Sequence, residues 1–305
     1  MVQSAPKPLG SPDFLERLGE VAGQVETRLS ELIAVASGRQ AIIMEAARYA
    51  ALGGGKRLRP FLVYETTRML SGPLDIALST GRALECLHVY SLIHDDLPCM
   101  DDDDMRRGKP TVHIAYDTAI ATLAGDGLLT YAFEILADPK TSPDAQTRLD
   151  LISGLAKAGG VHGMIGGQVI DITVAESERD ESLIMELQDL KTGALIEYGV
   201  LAGAIFGQAT PAQYDALRQY AAQMGLAFQI KDDILDTEGD AEIVGKAVGK
   251  DADLGKATFV SILGLEGARK RASNLGEKAK ASLQIFGSKA DILCDTVDFV
   301  LNRDR

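Results

Sequence analysis

A chain of 305 residues can bury one large core or two ordinary ones. Hydrophobic residues make up 46% and charged residues 25%, an ordinary balance for a soluble globular protein. With 44 acidic against 31 basic residues the net charge is -13, which argues against a nucleic-acid partner but not against small phosphorylated ligands held by a few placed cations.

Three cysteines, Cys86, Cys99 and Cys294, stand far apart and read as reduced thiols rather than a disulfide framework. Residues 1–12 are rich in Pro and Ser, read as a flexible tail, and lack the apolar run of a signal peptide. No stretch approaches the roughly 18 apolar residues that span a membrane. A cytoplasmic protein is expected.

Along the chain the period is helical. Phe14, Leu18, Val21, Val25, Leu29 and Leu32 recur at steps of three and four, one face of a long helix. Ser11 before Pro12 supplies its N-cap and first-turn proline. Further helices are expected near 41–52, 60–71, 75–95, 117–137, 144–158, 182–208, 258–273 and 288–302. Thr210-Pro211 with Gln213 reads as a capping box that opens a helix running through Asp236. Loops are expected near 97–112, 138–143, 174–181 and 237–257. There is no sustained period-two alternation and no Asn-Gly hairpin signal. The chain reads as one all-α domain, 1–305, of about ten helices.

Two acidic clusters break the pattern. Residues 95–104 hold six aspartates in ten positions: Asp95, Asp96 and Asp101 to Asp104. Adjacent like charges repel by about 1 kcal/mol at ~4 Å even in water. An apolar helix carrying Leu84, Leu87, Leu92 and Ile93 runs directly into this cluster. A solvated acidic loop is the bland reading, but Arg106, Arg107 and Lys109 come at once after it. Carboxylates and then cations are the composition of a metal-diphosphate site. An EF-hand does not fit, because Met105 and Arg106 stand where an oxygen ligand and a glycine are needed.

In the second cluster Asp232 and Asp236 are four apart on one helix face, with Gln229 three residues earlier. One such pair could be a solvated face; two clusters in one helical chain are harder to explain that way. Magnesium suits such a place, since it takes few carboxylates and completes its octahedron with water and phosphate oxygens. Gly53-Gly54-Gly55-Lys56-Arg57-Leu58-Arg59 adds free amides and cations, without the Ser or Thr of a nucleotide-binding P-loop. Lys191-Thr192-Gly193, Lys246 and Lys256 are weak signals alone. His88 lies two helical turns before Asp95 on the same face.

Six segments in order complete the pattern: the glycine-rich basic run at 53–60, residues 94–111, Gly166-Gly167-Gln168-Val169-Ile170-Asp171, Lys191-Thr192-Gly193, Phe228 to Asp236, and Gly255-Lys256-Ala257-Thr258-Phe259. Together they resemble the trans-polyprenyl diphosphate synthase family, bacterial farnesyl diphosphate synthases in particular. The resemblance implies an antiparallel helical bundle with a central cavity, a homodimer, and condensation of isopentenyl diphosphate with an allylic diphosphate. It implies that Asp95, Asp96 and Asp101 bind magnesium from one wall, and Asp232 and Asp236 from the other. Three magnesium ions per site are implied, with manganese a possible substitute. Arg106, Lys191, Thr192, Gln229, Lys246 and Lys256 would hold the allylic diphosphate and its reacting carbon. Gly55, Lys56, Arg59, His88 and Arg107 would cradle isopentenyl diphosphate. Gln168 and Asp171 would support the metal network. Tyr90 and Ser91 would set product length, with a fifteen-carbon product expected and a twenty-carbon product the alternative. A terpene cyclase of the same fold is disfavoured by Asp232-Asp233-x-x-Asp236 and Gly55-Lys56-x-x-Arg59.

Overall fold

A computed structural model describes residues 10–34, 37–174, 180–238 and 258–303. Helix α1 (Pro12–Leu32) starts as its sequence requires, with the Phe14 amide donating to Ser11 Oγ at 3.2 Å. Its periodic face, Phe14 to Leu29, is buried, and Phe14 packs its ring against Phe61 and Phe299. Truncating such a core aromatic to alanine costs about 3–5 kcal/mol.

Next come helices α2 (Ala41–Ala51), α3 (Leu58–Met69), α4 (Leu74–Asp95) and α6 (Thr118–Ala137), with a single turn α5 (Val112–Ala115) before α6. Both α3 and α4 are buried on nearly every side, so neither shows a strong apolar stripe in sequence. At the start of α3 the buried Arg57 ties three segments together. It donates to Glu85 at 2.6 Å, to Glu26 at 3.0 Å and to the Ala51 carbonyl at 2.6 Å. Of the three cations in the glycine-rich run, this one therefore points into the protein.

The second half contains α7 (Ala145–Gly159), α8 (Met164–Thr173), α9 (Glu181–Gln188), a π-helical turn (Asp189–Gly193), α10 (Ala194–Phe206) and α11 (Pro211–Glu238). It ends with α12 (Phe259–Ser282), a 3₁₀ segment (Gln284–Ala290) and α13 (Asp291–Asn302). The capping box at Thr210 is present: the Thr210 amide donates to Gln213 Oε1 at 2.9 Å, and the Gln213 amide to Thr210 Oγ1 at 3.4 Å. Helix α4 packs on α3 and α6, α10 on α3, α7 and α11, and α11 on α12. Connections of four residues, 70–73 and 207–210, make α3–α4 and α10–α11 antiparallel neighbours.

Five expectations need correction. The helix expected over 182–208 is two helices joined by the π turn. Helix α8 lies where no helix is expected. Helix α12 runs nine residues beyond its expected end at 273. The loop expected at 97–112 contains a small ribbon, Met105–Arg106 paired antiparallel with Lys109–Pro110. Its two turn residues, Arg107 and Gly108, have φ of 53° and 73°. Left-handed backbone at both positions makes the tight hairpin turn, and Gly108 supplies one of them without strain. Finally, α6 is long and apolar enough to cross a membrane by length and composition, which the Asp126 and Glu134 interruptions concealed. Of that apolar window 39% is buried here, and α6 packs on α4 and α2.

Candidate active site

A cavity of about 720 Å³ opens between the C-terminal end of α4, α8, the π turn and α11. Its apolar lining includes Leu92, Leu97, Met164, Leu195 and Phe228, with Tyr90 among them. Its polar lining brings together Asp95, Arg59, His88, Arg106 and Arg107 from one side of the sequence. Lys191, Thr192, Gln229 and Asp232 come from the other.

The acidic groups are placed by helix ends. Asp95 closes α4, and the chain then curls back so that the Asp101 amide donates to the Asp95 carbonyl at 2.9 Å. The fold thus returns a second carboxylate beside the first. Burial pushes the Asp95 carboxyl up to about 6, opposed by Lys191 and reinforced by Asp101. Asp96 is buried and gripped by Arg106, whose Nε donates at 2.8 and 2.9 Å and whose Nη2 lies 2.6 Å from Oδ1 in an ion pair. From α11, Asp232 faces the cavity while Asp236, one turn further, is buried. Among the described residues no three His, Cys, Asp or Glu side chains gather closely enough to hold a metal ion by themselves. A half-buried carboxylate raised this far, lining one cavity with Asp232 and several cations, fits a divalent ion that completes its shell on a phosphorylated ligand.

The basic groups form two sets. Arg59 Nη1 lies 3.3 Å from His88 Nε2. Because guanidinium can only donate, Nε2 accepts and the imidazole is neutral. Burial first, then Arg59 and Arg107, hold His88 well below the usual imidazole range. The hairpin turn directs Arg107 to donate to the Gly54 carbonyl. A Cβ at Gly55 would lie 2.7 Å from that guanidinium, so the glycine makes room for it. Lys56 Nζ sits 5.0 Å above the Phe299 ring. In the other set, the π turn sends Lys191 Nζ to Asp171 Oδ2 at 2.7 Å, and Thr192 Oγ1 donates to Gln229 Oε1 at 2.9 Å. A π turn shifts the backbone register and frees carbonyls from their i→i+4 partners, a device often found at functional sites. Gly167 of α8 permits it, since a Cβ there would meet the Lys191 amide nitrogen at 2.3 Å. Both side-chain amide atoms of Gln168 are buried without a partner while its side chain lines the cavity.

Lys246 and Lys256 lie outside the described residues. Ser91 also lines the cavity, but its hydroxyl is turned to the His88 carbonyl of its own helix at 2.8 Å. Two contributions escaped the sequence reading. The apolar Ile165, Val169 and Ile172 line the cavity from α8, and their four- and three-residue spacing was the available signal. Arg303 donates to Asp232 at 2.7 Å across 71 positions, and nothing local announces it.

The profile of the polyprenyl synthetase family matches residues 40–288. Over 300 residues the chain is 42% identical to the farnesyl diphosphate synthase of Escherichia coli K12, covering 96% of this chain and 100% of that protein. Among solved structures, the apo FPP/GFPP synthase of Zymomonas mobilis superposes with a TM-score of 0.85 at 45% identity, over 95% of this chain and 99% of the other. The geranyltransferase of Helicobacter pylori, complexed with magnesium and isoprenyl diphosphate, superposes with a TM-score of 0.83 at 32% identity, over 97% and 98%. The fold and its cavity are those of an isoprenoid synthase. This chain belongs to the polyprenyl synthetase family.

Proposed function

We propose that the chain condenses isopentenyl diphosphate with dimethylallyl and then geranyl diphosphate, releasing diphosphate at each step and forming farnesyl diphosphate. The observation that carries this reading is one cavity whose lining joins charged groups from two parts of the chain to apolar side chains, Tyr90 among them. Asp95, Asp96 and Asp101 would hold magnesium from α4 and the turn after it, and Asp232 and Asp236 from α11, with three ions per site and manganese as a substitute. When bound, the metal supplies charge neutralisation of the leaving diphosphate.

The chain's own groups do the rest. Arg106 and Lys191, with Lys246 and Lys256, take up charge that develops on the allylic diphosphate as its C–O bond breaks, the main electrostatic contribution to such a step. The oxygens of Thr192 and Gln229, already 2.9 Å apart, face the allylic carbon as positive charge grows there. Apolar walls keep water from that carbon. Gly55, Lys56, Arg59, His88 and Arg107 hold isopentenyl diphosphate with its double bond towards the cation. The new C–C bond forms, and the proton lost from the adjacent carbon goes to the departing diphosphate. Neutral His88 beside Arg59 serves as an acceptor that orients the guanidinium rather than as an acid. The working unit is proposed to be a homodimer.

Turnover of dimethylallyl diphosphate with labelled isopentenyl diphosphate should stop in excess chelator and return with magnesium. Mass spectrometry should find a fifteen-carbon product. Full activity in chelator would end the two-wall reading, and a twenty-carbon product would overturn the product assignment.

A further inference from the structure

Tyr90 is not a free-standing obstacle. One turn further along α4, the His94 imidazole meets it edge-on, with ring centroids 5.3 Å apart and planes at 85°. Aromatic pairs attract in this geometry because the positive edge of one ring meets the negative face of the other. The imidazole also reaches across to α6, where Nε2 lies 3.0 Å from the Thr122 carbonyl oxygen. A carbonyl can only accept, so Nε2 carries a proton and donates it into this bond, which fixes the tautomer. So close an approach needs bare backbone: a Cβ on Gly125 would lie 2.2 Å from Nε2. Ser91 offers no competing support, because its hydroxyl is spent within α4.

We propose that His94 is a positioning residue for product length, propping the Tyr90 ring against α6 and so setting the depth at which the growing chain stops. This rests on the reading of Tyr90 as the floor of the cavity. A ring at the end of an apolar pocket blocks extension only while its rotamer is held. Each added five-carbon unit gains burial by pushing inward, and an unsupported ring can swing aside at modest cost. His94 couples that swing to loss of an edge contact and of a hydrogen bond to another helix. Gly125 is part of the same device, since it alone lets the imidazole reach Thr122.

The test uses the full chain with dimethylallyl diphosphate and labelled isopentenyl diphosphate, reading the ratio of longer products to the fifteen-carbon product. That ratio is internal to each reaction, so turnover lost through disturbance of the neighbouring Asp95 does not move it. Tyr90→Ala should raise the ratio about tenfold or more, the scale of discrimination by pocket shape. His94→Ala should shift it in the same direction, as should Gly125→Ala, whose methyl displaces the imidazole. The double variant Tyr90→Ala/His94→Ala should match Tyr90→Ala alone, because the prop acts only through the ring. A wild-type ratio in His94→Ala beside a raised one in Tyr90→Ala removes the prop and leaves the floor standing. A wild-type ratio in Tyr90→Ala removes both. Additive effects in the double variant would also overturn action through Tyr90.

Discussion

Arg303, immediately after α13, donates from Nη2 to Asp232 Oδ1 at 2.7 Å and stacks its guanidinium 3.9 Å over the Phe228 ring. The same nitrogen also donates to the Phe228 carbonyl at 3.1 Å. The last helix is thereby fastened to α11 at two residues, Phe228 and Asp232, that line the cavity. Arg303→Ala should destabilise the protein by about 1.5–3 kcal/mol, the range for a charged hydrogen bond. Arg303→Lys keeps the charge but loses the fork and the flat stacking face, so it should recover less than half. Urea unfolding measures both. Wild-type stability in Arg303→Ala would place this pair with the exposed ion pairs of negligible net worth.

Arg59→Ala should weaken isopentenyl diphosphate binding by about 1.5–3 kcal/mol, the value of a charge-assisted hydrogen bond. Allylic diphosphate affinity should stay within a few tenths of a kcal/mol, because the cations proposed for that ligand are Arg106 and Lys191. Calorimetry on each ligand separately decides. The opposite pattern would exchange the two proposed diphosphate positions.

The two shifted groups of the cavity predict opposing pH effects on the ligand-free protein. His88 is held below its ordinary value of 6.5, chiefly by burial. As pH falls below 6.5 the unfolded chain takes up a proton that the folded chain refuses, and stability drops by up to about 1.4 kcal/mol per pH unit. Asp95 runs the other way. Its carboxyl is raised from 3.8 to about 6, so the folded chain gains a proton that the unfolded chain lacks, and stability rises as pH falls from 6 to 4. Between pH 6 and 4 the two act in opposite directions. In His88→Gln the opposing contribution is gone, and stability relative to wild type should climb as pH is lowered through that window. Parallel profiles for the two proteins would mean that His88 titrates normally in the fold.

Gly167→Ala inserts a methyl into the contact between α8 and the π turn, 2.3 Å from the Lys191 nitrogen. Overpacking of this kind costs about 1–3 kcal/mol. Because the atom displaced belongs to the segment carrying Lys191 and Thr192, prenyl transfer should fall tenfold or more, mainly in kcat, at temperatures where the variant is fully folded. A variant that loses stability while keeping its kcat would show that the π turn tolerates displacement.

Much of the fold and site was legible because it is local. The face of α1 repeats at helical spacing, Ser11 and Thr210 cap the helices they precede, and Asp232 and Asp236 share a face wherever their helix is placed. The aspartates after α4 and the cations at 106–109 are neighbours in sequence, so their joint chemistry could be read before any packing was known. Helix α8 is not evident in the sequence because Gly166 and Gly167 lower its helical propensity, and packing against the π turn overrides that preference.

Which charges meet depends instead on how the helices pack. Arg57 and Arg59 are two residues apart in a run that looks uniformly basic, yet one is buried against Glu85 and Glu26 while the other lines the cavity. Nothing local distinguishes them, because a helix start turns successive side chains in different directions and only neighbouring helices determine which direction is inside. The bonds of Lys191 to Asp171, Thr192 to Gln229 and Arg303 to Asp232 join positions 20, 37 and 71 residues apart. Local periodicity carries secondary structure and the inventory of chemical groups. The pairing of those groups is set by the tertiary packing of separate helices, a sum of many weak contacts that no single segment contains.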